Sequence, residues 1–91
     1  MPKIAIYKYF TFFIFSADAL NEPPHIHVVK EKKKRQRSAK IWLESLEVAR
    51  KGTLSDVELT IVLNLLRRNK TLFLNSFKEL KNGHKVKTIT F

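Results

Sequence analysis

Two histidines stand two residues apart in the stretch Glu22-Pro23-Pro24-His25-Ile26-His27-Val28-Val29. Imidazole exchanges protons near neutral pH, so a pair of rings on one surface offers general acid/base chemistry or contact with a phosphate. The spacing puts both on one face if the segment is a strand, about 6.5–7 Å apart along the chain, with Ile26 and Val28 on the other face. A metal site would need a third ligand from His84, Asp18 or Glu22. The chain has no cysteine and no pair of histidines at HExxH spacing, so neither a metal nor another cofactor is expected. The plainer reading is structural, with both rings packed beside a sheet and donating to backbone carbonyls or to Glu22.

A run of positive charge follows. Lys30, Lys32, Lys33, Lys34, Arg35 and Arg37 lie within nine residues that hold one acid, Glu31, and Lys40 comes soon after. Packed like charges resist burial, so the run is expected as an exposed connection. Such a loop binds polyanions through counterion release, and Arg35 and Arg37 add bidentate phosphate contacts. Nucleic acid is the partner this charge favours, and an acidic protein is the rival.

These groups must be positioned by a small scaffold. The chain has 91 residues and a net charge of +10. One domain of this size buries only about 60–65% of its unfolded surface, which the seven Phe, two Tyr and one Trp suit by burying much area per residue. The lack of cysteine excludes disulfides and fits a reducing compartment. No apolar run approaches the ~20 residues of a membrane span, and a cytoplasmic protein with no membrane contact is expected.

Pro23 and Pro24 lack backbone N–H groups and hold the chain extended, so they precede a strand at His25–Val29. The aromatic and β-branched bias of Lys3–Tyr9 suggests a strand. Phe10–Phe15, apolar on both sides, suggests a strand covered twice. Ser16 to Glu22 reads as a loop rich in turn formers. Ala39-Lys40-Ile41-Trp42-Leu43-Glu44 alternates as a half-buried strand, with Lys40, Trp42 and Glu44 on one face. Trp42 suits burial better than base stacking. Ser45–Lys51 is open between strand and irregular chain, and Gly52 marks a turn.

Ser55 and Glu58 make a capping box, with Leu54 and Leu59 as the staple of a helix. Its wide apolar arc (Leu59, Ile61, Val62, Leu63, Leu65, Leu66) predicts more than one packing neighbour, or an oligomer or partner surface. A second helix from Lys70 stripes Phe73, Phe77 and Leu80 and stops at Asn82-Gly83. The expected fold is α+β: a small antiparallel sheet of three to four strands followed by two helices packed on one face. Residues 1–83 form the single domain, and 84–91 are a C-terminal tail or edge strand.

The strand ending Phe15-Ser16, the Pro-Pro-His-x-His-Val stretch, the Ala39–Leu43 strand and the helix pair together resemble a family of small bacterial proteins catalogued as a domain of unknown function, the 4160 family. The likeness spans about Met1 through Gly83. Phe77 stands where relatives tend to carry Trp, the basic connection is richer in charge, and many relatives lack the tail. Proteins like these are often encoded beside a second small protein, as suspected toxin–antitoxin modules. The resemblance thus implies a small basic component of such a pair that contacts RNA or DNA through Lys30–Lys40 and is neutralised by a small partner protein. If that component turns over substrate, it is a metal-independent ribonuclease-like toxin with His25 and His27 transferring protons. The alternative is a non-enzymatic protein-binding module or antitoxin-like regulator with structural histidines.

Overall fold

A computed structural model describes residues 3–30 and 37–91 of the chain. The order of elements is β1 (Lys3–Tyr7), β2 (Phe10–Phe13), α1 (Ser16–Asn21), β3 (His25–Lys30), β4 (Ala39–Trp42), β5 (Val48–Arg50), α2 (Asp56–Arg68), α3 (Lys70–Lys81) and β6 (Ile89–Thr90). The strands form one sheet in the order β5-β4-β3-β2-β1-β6. Neighbours pair antiparallel except β6, which runs parallel to β1 through Ala5↔Ile89 and Ile6↔Thr90.

The fold is α+β, as expected, but the described residues form a six-stranded mixed sheet and three helices in place of three to four antiparallel strands and two helices. Each extra element is short. The segment read as a loop contains α1, whose six residues span under two turns and show no usable period. Ala19 anchors it by burial, and α1 packs against α3. The unassigned segment after β4 contains β5, a three-residue edge strand exposed at every position. A turn with Leu46 at φ 62° leads into it. The tail supplies the two-residue β6, held by Phe91 N donating to Ile6 O at 2.9 Å and by Thr88 Oγ1 donating to Lys3 O at 3.1 Å.

The central strand β3 is buried on both faces. Alternation sends Ile26 and Val28 to the face where Phe12 and Ile41 also lie, and these join Val62, Leu66 and Phe73 in one core. The rings of Phe12 and Phe73 lie 5.5 Å apart. Helix α2 begins as its sequence dictates: Ser55 Oγ accepts from Glu58 N at 3.1 Å, and Glu58 Oε1 accepts from Ser55 N at 2.8 Å. Asn69 serves both α2 and α3 as the joint between them, at φ −124° rather than in a left-handed conformation.

Gly52 turns the chain from β5 towards α2 at φ +61°. A Cβ there would lie 2.5 Å from the Arg37 carbonyl oxygen, so the turn presses directly on the backbone that enters β4. Thr53 N donates to the same oxygen at 3.1 Å. No helix among the described residues is long and apolar enough to cross a membrane.

Candidate functional site

The register places His27 opposite Phe13 on one side and Lys40 on the other, and His25 opposite Trp42. The two imidazoles do share a face, with ring centroids 5.2 Å apart. That face is closed. His25 is 0% exposed and His27 2%. His27 stacks on Phe13 at 5.4 Å and meets the edge of Phe15 at 4.8 Å. His25 meets Trp42 at 5.7 Å and Phe77 of α3 at 5.5 Å.

Hydrogen bonds fix both rings. His25 Nδ1 donates to the Pro23 carbonyl at 2.9 Å, because a carbonyl oxygen can only accept. The bond joins the ring to the Pro-Pro segment that starts β3, so the prolines and the imidazole orient one another. His27 Nδ1 and the Ser38 hydroxyl share a hydrogen bond of 3.1 Å. Ser38 is itself fully buried, and its carbonyl accepts from Arg50 Nε at 3.0 Å. The chain His27–Ser38–Arg50 therefore ties the centre of the sheet to its exposed edge through the residue that leaves the basic run. A general acid or base must come within hydrogen-bond reach of its substrate. Both rings are enclosed, and their contacts are with side chains of β2, β3, β4 and α3.

The basic candidates fall differently. Lys32, Lys33, Lys34 and Arg35, with Glu31, lie outside the described residues. The cations flanking them are partly engaged. Lys30 reaches α2 and bonds Glu58 Oε2 at 3.0 Å. Lys40 pairs with Glu22 and lies 4.7 Å from the centre of the Trp42 ring. Arg37 is exposed. Glu58 thus serves twice, as cap of α2 and as anchor of Lys30. The Ser55 backbone N–H chiefly holds its carboxyl below the usual range, desolvation opposes it as the next effect in size, and Lys30 adds a lesser lowering. Trp42 is half-buried rather than enclosed, and it lines a shallow cleft of about 250 Å³ with Pro23, Pro24, Glu44 and Ser45.

Of the candidate metal ligands, the Asp18 side chain lies outside the described residues, and the other two are engaged elsewhere. His84 Nδ1 bonds Glu79 Oε2 at 2.5 Å, and Glu22 is committed to Lys40. Among the described residues no group of three His, Asp or Glu side chains gathers around one point.

Sequence reasoning missed Ser38, Arg50 and the reach of Gly52. Ser38 carries the one visible signal: it is the last polar residue of the charge run before the alternation of β4 begins. Gly52 was legible as a turn, but nothing local marks Arg50 or the strand that Gly52 presses on, because those contacts are made with distant residues. A second cleft, about 570 Å³, lies between α3 and residues 85–87.

The sequence profile of the family described as "Domain of unknown function (DUF4160)" matches residues 10–78, from the start of β2 into α3, with β1 and β6 outside the matched span. No curated protein and no solved structure matches the chain.

Proposed function

The chain belongs to the DUF4160 family, and we propose that this member is the small basic, non-catalytic component of a toxin–antitoxin-type pair. It contacts RNA or DNA through the Lys30–Lys40 surface and is neutralised by a second small protein. The observation that carries this reading is the separation of charge from proton chemistry. The chain's net charge is +10, while the paired imidazoles are buried among Phe13, Phe15, Trp42 and Phe77. A polyanion is drawn to such a surface without any group acting on it covalently. His25 and His27 keep the platform rigid, and Lys30 and Lys40, held by Glu58 and Glu22, fix where the basic run leaves and rejoins it.

Fluorescence anisotropy with a labelled single-stranded RNA and a duplex DNA, titrated across KCl, tests the proposal. Each phosphate contacted contributes about 0.7 to the slope of log affinity against log salt for a single strand and about 0.9 for a duplex. Replacing Lys32, Lys33, Lys34 and Arg35 with Gln removes four cations, so the single-strand slope is expected to fall by about 3. An affinity indifferent to salt, or to this replacement, overturns the reading. Incubating the same RNA with the protein tests the rival. Cleavage by the natural chain that a folded His27→Phe variant has lost makes the protein a ribonuclease.

A further inference from the structure

The positive charge falls into two blocks of the chain. Lys30–Lys40 holds seven Lys and Arg against the single acid Glu31, and residues 67–87 hold another seven against the single acid Glu79. Everything else carries four cations and six acids, so the two blocks account for the whole of the positive excess.

Lys30, where the first block begins, and residues 85–87, where the second ends, sit at opposite ends of the sheet. Lys30 pairs with Phe10, beside the turn that joins β1 to β2. Thr88 bonds the Lys3 carbonyl, and β6 then runs parallel to β1, so residues 85–87 lie at the far, Lys3 end. There the chain forms one wall of the 570 Å³ cleft, with α3 as the other. That volume falls in the range of small-ligand sites, about 300–1,000 Å³.

The lining is sorted by chemistry. Thr71, Asn75 and Glu79 recur every four residues along α3 and share one stripe, with Leu72 and Ser76 beside them. Lys85, Val86 and Lys87 face them. Glu79, the single acid in the cleft, is engaged by His84 at its rim. The cleft therefore offers two ammonium groups, an apolar patch from Leu72 and Val86, and an amide and hydroxyls that both donate and accept.

We propose that this cleft is a second nucleic-acid site that takes one nucleotide unit of a single strand. Lys85 and Lys87 hold the flanking phosphates, Leu72 and Val86 lie against the face of the base, and Asn75 with Thr71 bonds its edge or the sugar. An acidic peptide would satisfy the lysines, and its backbone could bond Asn75, but its carboxylate side chains would leave the apolar patch of Leu72 and Val86 without a counterpart. The inference rests on the reading above that the protein's polyanion is nucleic acid. It adds a second contact at the other end of the molecule, so that one strand held at both is retained longer than at either.

The test uses the full chain and a fluorescein-labelled, mixed-sequence single-stranded RNA of twenty nucleotides. Variant Lys85→Gln/Lys87→Gln is compared with Lys78→Gln/Lys81→Gln, which removes the same charge from α3 outside the cleft. The cleft pair is expected to lower the salt slope by about 1.4 and to weaken binding on the order of 20-fold at 0.1 M salt. The control pair should change the slope by less than half as much. Asn75→Leu should weaken binding several-fold with the slope unchanged, because its contact is not ionic. Equal effects of the two lysine pairs mean diffuse attraction and overturn the site. Displacement of the RNA by poly-glutamate as effectively as by unlabelled RNA overturns the ligand class. If the natural chain binds RNA and loses slope only with the Lys32–Arg35 replacement, this inference fails alone. If the natural chain binds no RNA, the proposed function has failed first.

Discussion

The two faces of β3 are buried alike and built from different materials. On one, Ile26 and Val28 lie in an apolar cluster with Phe12, Ile41 and buried side chains of α2 and α3. On the other, His25 and His27 lie among aromatic rings, and each also makes a directional hydrogen bond, to Pro23 and to Ser38. The first face is held by area removed from water, which tolerates shifts of a few tenths of an ångström. The second is held by area and by bond geometry together, and it costs more to disturb in one particular direction. A buried polar atom left without its partner forfeits about 1–3 kcal/mol. Two histidines at strand spacing thus share a face whatever covers it, and here the cover is aromatic.

The largest loss is expected on the apolar face. Phe73→Ala removes a fully buried ring packed on Phe12 and should cost about 3–5 kcal/mol in urea unfolding. A cost under 1 kcal/mol would mean that α3 is not needed to close that face. On the opposite face, His27→Ala should cost about 2–4 kcal/mol through the cavity and the loss of the shorter of two hydrogen bonds at the Ser38 hydroxyl. His27→Phe, which keeps the volume, should recover part of that loss. If both variants unfold like the natural chain, the imidazole is not a support. Between the faces, Gly52→Ala combines a left-handed φ with a Cβ pressed on the Arg37 carbonyl, and should cost about 1–3 kcal/mol. It should also raise amide exchange at Ser38 and Ala39, which no change on the apolar face would do.

The smallest effect is acidic. Lys51 holds the Asp56 carboxyl below its usual range by a hydrogen bond and by charge, and the Ser55 N–H chiefly does the same for Glu58. A carboxyl whose folded pKa is depressed contributes stability above its unfolded value, near 4, and loses it as pH falls through the folded value. Unfolding followed from pH 6 to pH 2.5 should therefore show a shallow decline beginning near pH 4.5. Glu58→Gln should flatten part of it, and an unchanged profile would remove the ionised carboxylate from the account of α2.

Much of the framework was legible in the residues. Ser55 and Glu58 announced the start of α2, Gly83 at φ +81° ended α3 where Asn-Gly said it would, and the alternation of Ala39–Leu43 gave the inward side of β4 correctly. The elements that escaped were α1, β5 and β6, each too short for a period to accumulate, and each defined by what it touches: α3, β4 and β1. The candidate site divided in the same way. That His25 and His27 share a face follows from their spacing. That the face is closed depends on Phe13, Phe15, Trp42 and Phe77, residues up to fifty-two positions away.

By itself, the amino-acid sequence determined this protein's charge, its α+β class and the local starts and stops of its two long helices. Those properties arise from residue type and from contacts within one or two turns. Only the tertiary structure decided which faces meet solvent, which lysines are tied to acids, and that a second set of cations borders a cleft at the far end of the sheet. Exposure and the pairing of distant side chains are set by strand order and register, and residues separated along the chain have no other means of finding one another.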